Sequence, residues 1–527
     1  MRIAKRERNI KSGATILAIG SIAAKLLGAL YRVPLTNILG AEGMGLYQLV
    51  FPVYALFMIL STVGIPTALS RIVAEQRALG NGAKKYLFAC MLTLVALSTV
   101  SAVIVVSLAK YIAIWQGNVT AYKGFWIIAP SLVFVGAIAG FRGWFQGEMY
   151  MLPTAVSNII EQVVKLAVGL TLSLVFSKRG VLYAVYGALV GVTASEFVAL
   201  LYMFLVYIAK SRNVQKESLK LSRVESIGVF RTAFPIAIVS ILIPLSNFFD
   251  SIVIVNMLKL GGASRDLATA LYGLYSGPVN SLVNMPIVFT LSLAIAVVPS
   301  VAVSRVERDI DSILLKSRLG IKLTYLIAIP FAVFFAVFGE KLVGAIYPRL
   351  ALEQVIIAGK LLKIASFNVV TISCMQIYVS LLQAVDKTKM AVLSLVFAIL
   401  IKTVLQIVLT YYVGILGAAL ASAAMGVVAH LLTFASYFKV CGLHLEKSVG
   451  INLLVGVIMG CAGVVIATNV QNAYIACAVG AITCAVVYCW LVFLLGLVGK
   501  EEMAHFPAGK ILQKIHRVVR FWEYRDV

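Results

Sequence analysis

"FQGEMYMLPTAVSNIIEQVVKLAVGLTL", residues 145–172, returns later in the chain as "LQAVDKTKMAVLSLVFAILIKTVLQIVL", residues 382–409. The two align without a gap: Gln146 meets Gln383 and Lys165 meets Lys402. Each opens on a short polar turn and continues as an apolar run of about 20 residues, enough to cross a hydrocarbon core as a helix. Working outward, "GALVGVTASEFVALLY" (187–202) is answered by "GAALASAAMGVVAHLL" (417–432), and "IPTALSRIV" (65–73) by "VPSVAVSRV" (298–306). Spans one to six therefore repeat as spans seven to twelve, in one orientation because six is even. Parallel repeats of this kind point to a transporter with its substrate near the midplane between the halves.

Composition agrees. Of 527 residues, 61% are hydrophobic and 13% charged, where a soluble chain would carry about 25% charged; mean hydropathy is +1.00. Apolar runs of about 20 residues indicate helices, since barrel strands alternate in segments of about 10. The expectation is an all-α polytopic membrane protein with about 14 transmembrane helices: two six-helix lobes in parallel repeat plus two C-terminal helices. Spans are expected near 12–38, 46–70, 86–109, 124–145, 152–176, 182–209, 228–258, 268–302, 318–339, 354–384, 388–413, 415–438, 449–468 and 473–497.

The net charge of +24 is one of location. About 29 Lys and Arg fall on one side of the expected spans and about 8 on the other. The positive-inside rule then puts both termini in the cytoplasm and leaves no reason to expect nucleic acid as a partner. "AEGMG", "YYVGILG" and "NVQNA" carry no Lys or Arg and read as external loops. The domains expected are an N-lobe (1–210), a cytoplasmic basic linker (211–227), a C-lobe (228–440), helices 13–14 (441–498) and a cytoplasmic tail (499–527). In the tail, Ile511, Ile515, Val518 and Trp522 share a helical face, and Lys510, Lys514, Arg517 and Arg520 lie mostly off it. That pattern suits a helix lying on anionic inner-leaflet lipids. The seven cysteines, without a CxxC, read as small apolar side chains; the four histidines are scattered, so no metal site is expected.

Charges within spans carry the functional reading. Lys25, Arg32, Glu161, Lys165, Glu196, Asp250, Lys360, Lys363 and Lys402 all fall in apolar segments. An Arg, Lys or Asp at a helix centre costs about 2.5–3.5 kcal/mol on the insertion scale. These groups must face an interior, pair or snorkel, and Lys360 and Lys363, near a span end, are expected to snorkel. Glu161 and Lys165 are spaced i,i+4 and make a helical ion pair. Lys402 repeats Lys165, but Ala398 stands where Glu161 would be. Lys25 and Arg32 share a helix face about 10 Å apart along the axis. Lys25, Arg32, Lys165 and Lys402 are expected to line a central cavity for an anionic head group, with Lys25 deep in its wall. Glu161, Glu196 and Asp250 are expected as ion-pair or coupling residues. No catalytic residue and no cofactor is expected, beyond a coupling Na+ or H+.

At these residues the chain becomes familiar. "KLLGALYRVPLTNILGAEGMGLYQLVFPVYALFMILSTVGIPTALSRIVAE" (25–75) resembles the opening of the polysaccharide-transporter branch of the multidrug/oligosaccharidyl-lipid/polysaccharide flippase superfamily. "FRGWFQGEMYMLPTAVSNIIEQVVKLAVG" (141–169) is similar to a motif of the stage V sporulation protein B group, whose relatives include lipid II flippases. The resemblance implies alternating access in the cell membrane and an undecaprenyl-pyrophosphate-linked saccharide as substrate, foremost lipid II for peptidoglycan, with a link to sporulation; the alternatives are export of another lipid-linked polysaccharide unit and cation-coupled drug export, and the protein is expected to be a monomer. It carries over Lys25 and Arg32 as site residues. One departure stands out: those flippases carry an arginine in span eight, five residues before a proline, and counting back from Pro286 gives Ser281.

Overall fold

The computed structural model describes residues 2–62, 64–211, 223–442 and 447–497. The centre of the expected linker and the expected amphipathic tail lie outside the described residues. Every regular element among the described residues is helical: α1 (Arg2–Thr62), α2 (Ile65–Ala78), α3 (Lys84–Trp115), α4 (Tyr122–Gly147), α5 (Leu152–Val164), α6 (Leu170–Ser177), α7 (Val181–Ser211), α8 (Arg223–Leu260), α9 (Arg265–Leu274), α10 (Asn280–Val306), α11 (Ile310–Ile346), α12 (Leu352–Ala384), α13 (Thr388–Val413), α14 (Ile415–Cys441), α15 (Lys447–Asn469) and α16 (Ala473–Leu494), with a 3₁₀ turn at Val119–Ala121 and π turns at Lys165–Gly169 and Tyr275–Val279. Among the described residues, thirteen segments are long and apolar enough to cross a membrane. This is an all-α, multi-pass membrane protein.

The first of those segments, Gly20–Ala78, is 59 residues long and takes in both of the first two expected spans. At 1.5 Å per residue it is far longer than the roughly 30 Å core, so it must break. It does so at Gly40, whose φ of 65° is open to glycine without strain. The "AEGMG" loop expected from the sequence is therefore absent: residues 41–45 are helical and the turn is reduced to the Gly40 kink.

The chain divides into two compact units: Met1–Ser281 with Thr403–Ala418, and Leu282–Lys402 with Ala419–Val527. In the first, helices cross through glycines. A Cβ on Gly143 of α4 would lie 2.7 Å from the Pro66 carbonyl oxygen of α2, and one on Gly147 would lie 2.7 Å from the Ser70 carbonyl oxygen. Residues 143–147 are thus a small-xxx-small contact of the kind that lets membrane helices meet backbone to backbone. Just beyond it, Arg77 ties α2 to Glu148 at 2.7 Å.

The other end of the same unit is pinned by amides. Gln116, fully buried, donates to the Leu49 carbonyl and to Ser251 Oγ, both at 2.8 Å. Asn118 donates to Thr269 Oγ1 at 2.9 Å. Asn256 donates to the Trp115 carbonyl at 2.6 Å and Lys259 to the Gly117 carbonyl at 3.1 Å. The last two bonds satisfy carbonyls at and just past the end of α3, which have no partners within the helix.

In the second unit, α11 is the hub for α12, α15 and α16. Ser317 and Tyr437 share a hydrogen bond of 2.7 Å, and Tyr488 donates to Asn452 Oδ1 at 2.6 Å. Lys341 donates to the Ala467 carbonyl at 2.6 Å and also to the Val470 carbonyl, placing a cation on the carbonyl end of α15.

The turns that open the two repeated stretches share one backbone form. Met149 (φ 56°) and Asp386 (φ 60°) occupy equivalent places. Three turn hydrogen bonds recur around them in the same register: Glu148 to Trp144, Met149 to Gln146 and Tyr150 to Phe145; then Val385 to Leu381, Asp386 to Gln383 and Lys387 to Leu382. This is the 6→1 and 5→2 pattern of a Schellman cap.

A candidate anion site in the first unit

The first unit gathers cations around one carboxylate. Glu161 on α5 receives Arg142 Nη2 of α4 at 3.3 Å on Oε2, and Lys165 Nζ at 3.5 Å on Oε1. Gln162 Nε2 also donates to Oε1 at 2.9 Å. Arg142 is held independently, its Nε donating to Ser157 Oγ at 3.2 Å, and Ser157 is fully buried. The cluster is mostly enclosed: the Arg142, Glu161 and Lys165 side chains are 23%, 16% and 12% exposed.

Lys165 also begins the π turn Lys165–Gly169. Such a turn inserts a residue into a helix and is common at functional sites. Its backing is specific: a Cβ on Gly191 of α7 would lie 2.6 Å from Gly169 N, and one on Gly187 would lie 2.7 Å from the Leu172 carbonyl carbon. Two glycines four apart let α7 press on the widened backbone. The repeated stretch around Lys402 aligns without a gap, yet α13 is a regular helix. The two lysines match in sequence while their local helix geometry differs.

Lys25 and Arg32 divide. Lys25 is exposed on α1. It sits toward the start of its span, before the close packing of α1 sets in; residues 43–50 of the same helix are all buried. Arg32 is half-buried and its Nη1 donates to Ser281 Oγ at 3.4 Å. A guanidinium from α1 thus reaches the Ser281 hydroxyl, at the position where the family pattern has an arginine. Buried Tyr47 lies within electrostatic range of both Arg32 and Lys165.

Glu196 is buried within electrostatic range of Glu161, Lys165 and Arg142. Asp250 is also buried, in range of Tyr272. Lys402 is buried in the second unit. Lys360 and Lys363 are exposed, and Cys461 and Cys489 are exposed where small buried side chains were expected. Sequence reasoning missed Arg142, Ser157 and Gln162. The signal available for Arg142 was its place inside an expected span; its partner lies 19 residues away on another helix. Among the described residues no group of His, Cys, Asp or Glu is arranged to hold a metal ion.

Chemically, the arrangement offers Lys25, Arg32, Arg142 and Lys165 along the helices of one unit, against Glu161, Glu196 and Asp250. Guanidinium and ammonium donors of this sort suit phosphate oxygens.

Comparison with known proteins agrees with the fold. The chain is 26% identical over 509 residues to stage V sporulation protein B of Bacillus subtilis, covering 94% of this chain and 97% of that protein. It is 25% identical over 451 residues to the lipid II flippase MurJ of the same organism, covering 80% of each. A solved structure of lipid II flippase MurJ in an inward closed conformation superposes with a TM-score of 0.73 at 15% identity, over 92% of this chain and 99% of that one. The polysaccharide biosynthesis protein family model matches residues 10–304, more than half of the sequence, and the chain belongs to that family.

Proposed function

We propose that the protein is a flippase that moves an undecaprenyl-pyrophosphate-linked saccharide, foremost lipid II, from the inner to the outer leaflet of the cell membrane. The observation that carries this is the enclosed cluster of the first unit in which two cations, Arg142 and Lys165, flank the single carboxylate of Glu161. The relatives that cover most of the chain include a lipid II flippase, and none of the names compared is that of an enzyme.

In this reading residues 1–210 and 228–440 are the two repeating lobes, 441–498 the added pair of helices, and both termini are cytoplasmic. The head group enters from the inside, and Lys25 and Arg32 replace water around its phosphates. The polyprenyl tail stays in lipid. Lys165 and Lys402 complete the lining, and Glu196 or Asp250 carries any coupling Na+ or H+. Outward movement of an anion gains about 2.3 kcal/mol per charge per 100 mV from a negative interior. The protein works as a monomer, with its basic tail on anionic inner-leaflet lipids.

The test is complementation of a bacterial strain depleted of its lipid II flippase, with wild type and with Lys25→Gln/Arg32→Gln. Rescue by wild type and failure of a stably expressed double variant is the expected result. Full rescue by the variant sinks the head-group role of the two cations. Failure of wild type, with rescue of a strain lacking an exopolysaccharide flippase instead, moves the substrate to another lipid-linked saccharide.

A further inference from the structure

The Glu161 cluster has an internal contradiction. Its ion pairs are more enclosed than others in the protein, yet longer. Arg77–Glu148 and Arg305–Asp386 close to 2.7 and 2.8 Å, the latter with side chains 43% and 77% exposed. Arg142–Glu161 and Lys165–Glu161 stand at 3.3 and 3.5 Å, beyond the roughly 2.7–2.9 Å of a full charge-assisted bond. One carboxylate is divided between two cations and closes fully on neither.

The surroundings favour exchange. Arg142 keeps a neutral anchor, Ser157, through Nε, so its position does not depend on Glu161. Glu161 keeps a neutral donor of its own, Gln162 at 2.9 Å. Each partner can release the other and remain held.

We propose that Glu161 is a placeholder anion: it occupies Arg142 and Lys165 while the site is empty, and the phosphate oxygens of a polyprenyl-pyrophosphate head group displace it. This rests on the anion-site reading above and adds Arg142 to the head-group contacts, with Ser157 as its positioning residue. A diphosphate offers several oxygens and more than one charge, where a carboxylate offers two oxygens and one charge. It can close on both cations at once. The placeholder offsets one of the two positive charges of the empty cluster, with Glu196 in electrostatic range of both cations, in a low-dielectric setting where unpaired charges are costly, and it sets a threshold that weak monoanions do not pass.

The experiment uses the full-length protein in detergent micelles, with undecaprenyl pyrophosphate as probe and binding read by thermophoresis. Glu161→Gln, which removes the internal competitor, is expected to bind about tenfold tighter, or about 1.4 kcal/mol. Glu161→Asp, one methylene shorter and still charged, is expected to tighten binding by less. Ser157→Ala is expected to weaken it. Binding by E161Q that equals or falls below wild type, with an unchanged melting temperature, overturns the placeholder and leaves the proposed function standing. No binding by wild type overturns the proposed function itself. Should both Glu161 variants fail to fold, difference infrared spectroscopy on wild type decides: added probe must perturb an ionised-carboxylate band, and an unperturbed band refutes the displacement.

Discussion

Replacing Gly143 by alanine tests the backbone contact that holds α4 against α2. The new Cβ would stand 2.7 Å from the Pro66 carbonyl oxygen, 2.9 Å from its Cα and 3.2 Å from its carbonyl carbon. All three are backbone atoms, so no side chain can swing away. Ordinary contact begins near 3.4 Å, about 0.7 Å more, and the two helices must separate to provide it. Overpacking of this sort costs about 1–3 kcal/mol. The gain in helix propensity from Gly to Ala, about 0.5–1 kcal/mol, offsets part of it. A net loss of about 1–2 kcal/mol is expected. Gly450 is the control: it lies in α15, and a Cβ there meets nothing within 4 Å. Gly450→Ala receives the propensity gain alone. Thermal unfolding of both variants in one detergent, followed by intrinsic fluorescence, should place Gly143→Ala below wild type and Gly450→Ala at or above it. Because α4 also carries Arg142, the first variant should lose transport as well. Equal melting of the two variants would refute the claim that α2 and α4 meet backbone to backbone.

Other outcomes follow from single groups. Lys341→Met removes both hydrogen bonds to the carbonyl end of α15 and should lower stability by about 1.5–3 kcal/mol, seen as a reduced melting temperature that Lys341→Arg largely restores. Asp309, between α10 and α11, caps the Ser312 backbone N–H at 2.9 Å and accepts from its hydroxyl at 2.7 Å. These bonds hold its carboxyl below the usual carboxylate range. The stabilisation is therefore full above the unfolded value near about 4 and is lost as pH falls through the lower folded value. Asp309→Ala should melt below wild type at neutral pH, and the gap should close in strong acid; a gap independent of pH would contradict this. Lys25→Cys in a cysteine-free background should react with a charged, water-soluble thiol reagent. A thiol protected at that position would place that side of α1 in lipid and remove Lys25 from the site.

The crossings were legible because apolar runs of about 20 residues are a direct imprint of bilayer thickness. The Gly40 kink was not: "AEGMG" has the composition of a loop, and only the dihedral of Gly40 shows that one residue suffices to turn the chain. Within the site, Glu161 and Lys165 were legible because i,i+4 neighbours meet on any helix. Arg142 was not, since its meeting with Glu161 depends on how α4 packs beside α5. The π turn was hidden for a related reason. The stretches around Lys165 and Lys402 align residue for residue, and Gly187 and Gly417 approach the matching backbone at Leu172 and Leu409 alike; what differs on the facing helix is Gly191, set against Gly169, where the repeat has Ala421.

The amide cluster at Gln116, Asn118 and Asn256 has a practical corollary for experiments. Its bonds, Lys259 apart, join neutral groups to carbonyls and hydroxyls. Added electrolyte, which screens exposed charges over about 10 Å at 0.1 M, has little to act on there. At the opposite end of α3, about 48 Å of helix away, the unit is fastened by the partly exposed Arg77–Glu148 pair. Salt concentration is thus a one-sided lever on this unit: it loosens one face and leaves the other fastened, without any mutation.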